Sequence, residues 1–173
     1  MNNKQLKEEF IKYFGEELWN QEESLSKLQQ IEEHLSNLLN VERIPVIVED
    51  IEEDSRYMIK ENYIVISSKI IHDKIEATKS LVHEYKHYHQ MCIVTNNIPH
   101  KLYNLWKENL QNPYQPKDYN DDEQMTRYYL QPLELDAYAF TKYYFKKYLN
   151  TNLEVLHSLF EEIFDKYISK YYK

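Results

Sequence analysis

At 173 residues the chain is the size of one domain, since domains run roughly 100 to 200 residues, and a chain of this length buries about 70% of its unfolded surface. It holds one glycine, Gly15, against 17 tyrosines and 7 histidines, which excludes the paired-glycine loops that cradle phosphates and dinucleotides and disfavours a many-turned sandwich or barrel. The formal charge of −8 argues against nucleic acid as a partner, the solitary Cys92 excludes an internal disulfide, and no apolar run approaches the roughly 20 residues of a membrane helix.

Met1-Asn2-Asn3-Lys4 does not open a secretory leader, so the expectation is a soluble, cytoplasmic protein with no membrane partner. Residues 4–40 read as helical. Leu6, Phe10, Phe14 and Leu18 recur every four residues, and Leu25, Leu28, Ile31, Leu35 and Leu38 every three or four, with Gly15 and Asn20 as candidate breaks. Such a stretch usually packs on its own domain, with coiled-coil dimerisation as the alternative. From Ile44 the period changes: residues 45–48, 56–59 and 63–67 read as strands, the last two joined by the turn Lys60-Glu61-Asn62, which suggests a small antiparallel sheet of about three strands.

Helix resumes over about 75–94 and is followed by a loop marked by Asn112-Pro113, Gln115-Pro116 and Asn120-Asp121-Asp122. Pro132 is suited to the first position of a helix running to about Leu149. Asn150-Thr151-Asn152 breaks it before a final helix over about 153–171. The fold class is therefore α+β and mostly helical, a single domain with N-terminal helices in 1–40, a core in 44–148 and a C-terminal helix in 152–172.

The chemistry concentrates on the first long helix after the strands, where His83, Glu84 and His87 form H-E-x-x-H. On an α-helix, positions four apart are separated by roughly 40° and one turn of rise, so both imidazoles reach one metal ion. Glu84 then lies beside the open metal position, where its carboxylate can take a proton from a bound water. On the same helical wheel Ala77, Leu81, Tyr85, Tyr88 and Cys92 fall at roughly 120° to 200° from His83, and Ile75, Val82 and Ile93 near 260° to 280°. The helix is expected to be buried on most sides, with the histidines facing an opening bordered by Lys79, Lys86 and Gln90.

A catalytic zinc usually has three protein ligands and a fourth place for water. The metzincin extension would need Gly at position 90 and His at position 93, where the chain has Gln90 and Ile93, and H-x-x-E-H is absent. An acidic residue on a later helix remains, and Glu134, in the first turn after Pro132, supplies one. His89 points roughly 240° around the helix from His83 and is left out of the ligand set. His34, His72 and His100 lack partners at ligand spacing and are expected in surface or capping roles, and Cys92 in the core. Tyr128, Tyr129, Arg127 and His157 are candidates for supporting a developing oxyanion.

The segments LVHEYKHYHQ and PLELDAYAF resemble the small gluzincin-type metallopeptidases, most closely the ImmA/IrrE family, whose members join H-E-x-x-H to a later E-x-E-A-x-x-F-A. The resemblance covers roughly residues 44–148. It implies a zincin-like fold, Zn2+ held by His83, His87 and Glu134, Glu84 as general base, and an endopeptidase cutting a protein substrate, as relatives cut regulatory repressors. Asp136, Ala137 and Phe140 fall on the motif's second acidic position, its alanine and its phenylalanine. Tyr138 stands where many relatives carry Asn or Asp, and Thr141 replaces the next alanine. Asp136 is left open between a hydrogen-bonding partner for a ligating histidine and a solvated charge at the helix start. Two other function classes compete: a zinc-stabilised binding module without turnover, and a helical interaction protein with a chance H-E-x-x-H. Neither the oligomeric state nor the substrate is written in the sequence.

Overall fold

The computed structural model describes residues 21–153 and 160–172. The part of the expected helical stretch 4–40 that precedes Gln21, and His157, lie outside them. The first described helix, α1 (Gln21–Leu39), buries Leu28, Ile31 and Leu35 almost completely in the main core. Each side chain of that size contributes about 1.5–3 kcal/mol by leaving water. The apolar stripe of α1 is thus used within the chain, as the packing reading required.

Its end needs a left-handed residue, which a chain with one glycine must find elsewhere. Asn40 takes φ 53, and Asn62, Asn97 and Asn150 take φ 58, 52 and 54 at later turns. Asparagine tolerates this region better than other side chains because its amide bonds locally. The hairpin turn before β3 therefore works without the preferred glycine.

Three strands follow: β1 (Val46–Glu49), β2 (Ser55–Met58) and β3 (Tyr63–Ser67). The sheet order is β1-β3-β2. β2 pairs antiparallel to β3, with Tyr57 opposite Ile64, while β1 pairs parallel to it, with Val46 opposite Ile64. The expected all-antiparallel sheet is corrected to a mixed one. The reason is burial: Ile64, Val65 and Ile66 are at most 2% exposed, so β3 needs a strand on each side and cover on both faces. The connection 50–54 carries no hairpin turn, so β1 takes the far side of β3 while polar β2 forms an edge.

α2 (Lys74–Thr95) starts at Asp73, whose side chain accepts from the backbone N–H groups of Ile75 and Glu76 at 3.0 Å each. This N-cap satisfies donors the first helical turn cannot pair internally. The helix packs against α1, the sheet and two later helices, burying Leu81, Val82, Tyr85 and Tyr88. Buried Glu32 on α1 helps to locate it, accepting from the Tyr85 hydroxyl at 3.0 Å and from the Ile44 N–H at 3.1 Å.

The expected loop between residues 95 and 131 contains two short helices, α3 (Tyr103–Gln111) and α4 (Asp122–Tyr129). α3 plants Trp106 at 0% exposure, and α4 buries no residue, so neither offers a long apolar period to read. Asp121, which looks like a turn residue, is the N-cap of α4. α5 (Pro132–Tyr148) begins at the expected proline, and α6 (Glu161–Tyr171) carries fully buried Phe164. No described helix is long and apolar enough to cross a membrane.

Candidate metal centre

α2 and α5 lie against each other, and their facing sides bring three potential ligands together. His83 Nε2 lies 3.3 Å from Glu134 Oε2, His87 Nε2 lies 3.5 Å from Glu134 Oε1, and the two Nε2 atoms are 3.0 Å apart. A tetrahedral zinc with arms of about 2.0–2.1 Å sets its ligand atoms about 3.3 Å apart, and these separations, made to Glu134 by its two different oxygens, are of that order. The side chains are 13%, 20% and 12% exposed for His83, His87 and Glu134, so all three are largely shielded from solvent. Glu134 Oε2 is buried and lies beside His83 Nε2 without completing a well-aligned hydrogen bond, which fits an oxygen that would ligate a metal. The three residues could hold a metal ion.

Electrostatics give the same picture. Burial alone would lower His87, but the Glu134 carboxylate outweighs it and raises the imidazole to about 9. Burial pushes Glu134 up, and the two histidines overcome it, holding the carboxyl well below the usual carboxylate range. An anion is thus fixed between two imidazoles, where a cation replaces a proton.

Glu84 is anchored from the opposite side. Its Oε1 accepts from the Ser55 hydroxyl and its Oε2 from the Tyr57 backbone N–H, both at 2.9 Å. Because β2 is an edge strand, that N–H faces away from β3 and is available to a side chain. A carboxylate offers about four acceptor sites, so Glu84 retains room for a water.

A cleft of about 600 Å³ opens over these groups, lined by His83, Glu84, His87, Glu134 and Tyr128, with Ile59, Met91, Leu110 and Leu133 along one flank. A smaller cleft of about 370 Å³ shares His83, Glu84 and Tyr128 and adds the polar Lys79, Ser80 and Thr141. All three ligands line the larger cleft, and His83 lines the smaller one as well.

Among the oxyanion candidates, Tyr128 lines both clefts. Burial, with Glu134 adding, raises its hydroxyl above the ordinary value, so it stays a protonated donor. Arg127 is exposed and stacks on Tyr114 at 4.2 Å, while Tyr129 packs on Tyr138 and Phe160. Neither joins the cleft.

Several sequence expectations change. Lys86 does not border the opening; it is 2% exposed and its Nζ lies 3.2 Å from Asp136 Oδ2. The helical wheel gave its angle but not the carboxylate that draws it inward from α5. Asp136, at 0% exposure, is no solvated helix-start charge. His34 is neither surface nor cap: it is 7% exposed, its Nδ1 lies 2.9 Å from the Tyr144 hydroxyl, and burial lowers it to about 4. His100 accepts from the Leu102 N–H at 3.1 Å and stacks on Trp106, without capping α3 itself. His89 is buried beside Trp106 and His100, away from the ligand triangle, and Cys92 packs partly buried against the main core. Tyr138 lays its ring against His83 with centroids 4.4 Å apart. Ser55 and the Tyr57 N–H left no trace in the sequence, because contact across a sheet edge has no periodic signature.

Comparison with family models, curated proteins and solved structures finds no match to this chain.

Proposed function

We propose that the chain is a zinc-dependent endopeptidase with a zincin-like catalytic core, of the gluzincin type that the ImmA/IrrE resemblance implies. The observation that carries this reading is the convergence of His83, His87 and Glu134 on one point, with Glu84 beside it and a cleft above.

His83 and His87 would hold zinc through Nε2 and Glu134 through its carboxylate. When bound, the ion supplies a water whose pKa falls toward about 7 and polarises a peptide carbonyl. Glu84 takes the proton from the attacking water while Ser55 and Tyr57 keep its carboxylate aimed at the cleft. The hydroxyl adds to the carbonyl carbon, the C–N bond breaks, and Glu84 delivers the proton to the departing amine. Tyr128 donates a hydrogen bond to the carbonyl oxygen as it gains charge.

The substrate class is an extended peptide segment of a protein, supported by a cleft of about 600 Å³ lined by all three ligands and Glu84, and a net charge of −8 disfavours nucleic acid. The test compares the proteomes of cells carrying wild-type chain or Glu84→Gln, which should retain zinc and lose turnover. Fragments present only with wild type support the reading. Identical cleavage by both forms removes Glu84 from its role.

A further inference from the structure

Beside the ligand triangle, at the floor of the cleft, a buried amide joins His87 to a carboxylate on another helix. His87 Nδ1 lies 2.9 Å from Gln90 Oε1. At the other end of the same amide, Nε2 donates to Asp136 Oδ2 at 2.9 Å and to the Leu133 carbonyl at 3.0 Å. Gln90 and Asp136 are 1% and 0% exposed, so water does not compete.

These contacts leave the amide one orientation. Both of its hydrogens are claimed by acceptors that cannot donate, so its oxygen must face the histidine. A carbonyl oxygen only accepts, so the proton sits on His87 Nδ1. When the imidazole gives up its other proton for a metal, the lone pair is therefore on Nε2, the atom beside Glu134, which is the tautomer a ligand needs. His83 has no such support: its Nδ1 is buried with no hydrogen-bond partner, and its ring rests on Tyr138.

Asp136 is itself held from a third element. Beyond Lys86, its Oδ1 accepts from the Tyr167 hydroxyl at 3.2 Å and from the hydroxyl of Tyr172. Tyr167 lies on α6 and Tyr172 is its C-cap residue.

We propose that Gln90 is a positioning residue of the metal site: it relays the Asp136 carboxylate to His87, fixes the Nδ1–H tautomer, and makes metal affinity depend on the C-terminal helix through Tyr167 and Tyr172. This rests on the metal-site reading above but not on peptidase activity. It assigns the two histidines unequal support, an amide relay behind His87 and a stacked ring beside His83.

The experiment measures Zn2+ affinity of the full chain by competition with a chromophoric chelator, with far-UV circular dichroism confirming that each variant is folded. Gln90→Met keeps the side-chain volume and removes both ends of the relay, and zinc should bind about 10- to 100-fold more weakly. Tyr172→Phe removes one hydroxyl from Asp136 and should weaken zinc in the wild-type background while adding nothing to Gln90→Met. A merely structural tyrosine would weaken both alike. Should Gln90→Met not fold, Tyr167→Phe and Tyr172→Phe read the same relay from its far end. Wild-type affinity in folded Gln90→Met, or in the double tyrosine variant, overturns the relay and leaves the peptidase reading standing. A wild-type chain that binds no zinc overturns both.

Discussion

Zinc and a proton compete for His87, and the structure sets the size of that competition. With the Glu134 carboxylate holding the metal-free imidazole at about 9, only about 1% of it is unprotonated at pH 7, two units below. Apparent zinc affinity at pH 7 should therefore lie about 100-fold below its high-pH limit, equivalent to about 2.7 kcal/mol, and rise about tenfold between pH 7 and 8. The signs for stability follow. A raised histidine contributes stability that is complete below its ordinary value of about 6.5 and is lost as pH rises through about 9. The depressed Glu134 contributes above the ordinary carboxylate range and is lost only as pH falls through its lowered value. Metal-free protein should thus melt at lower temperature as pH rises from 6.5 to 9, while zinc-loaded protein should not. Chelator competition at pH 7 and 8 gives the affinity ratio, and titration calorimetry in buffers of different ionisation heat counts the released proton. An affinity that is flat across this interval, with no proton released, would refute the His87–Glu134 pairing as the state that zinc displaces.

Two substitutions test the surroundings. Lys86→Met leaves the Asp136 carboxylate buried without its cation, and urea unfolding should show a loss of about 3–5 kcal/mol, partly recovered in Lys86→Met with Asp136→Leu. A loss within the range of an exposed pair, below about 1 kcal/mol, would contradict the burial described for this pair. Tyr128→Phe should lower kcat on a cleaved substrate by about 10²- to 10³-fold with zinc affinity unchanged. An unchanged kcat would remove Tyr128 from the oxyanion role.

The site was legible in the sequence because its parts are helical and helices are periodic. His83 and His87 share a face by spacing alone, Glu134 follows a proline that marks a helix start, and α2 and α5 begin within a residue or so of their expected positions. Strand direction was not legible, since alternation along β1 is the same whether its neighbour runs parallel or antiparallel; only the double burial of β3 decides it. The short helices α3 and α4 escaped because turn residues around Pro113, Pro116 and Asn120 outweigh an apolar pattern of two turns. Lys86 read as a rim charge, and Asp136 stayed open between a buried partner and a solvated charge, because their pairing spans 50 positions and is settled by packing. The tyrosine excess also gains a partial account. Tyr85, Tyr167 and Tyr172 bring apolar rings into the interior with hydroxyls that satisfy the buried carboxylates Glu32 and Asp136.

The atoms that surround the metal distinguish a His83, His87 and Glu134 site from any other. X-ray absorption at the zinc edge, on wild-type protein loaded and freed of excess ion, reads this without a substrate. One zinc per chain, with two imidazole nitrogens and carboxylate and water oxygens at about 2.0–2.2 Å and no sulfur, is the predicted result. Substoichiometric zinc, a sulfur ligand from Cys92, or a shell unaltered in Glu134→Ala would contradict it.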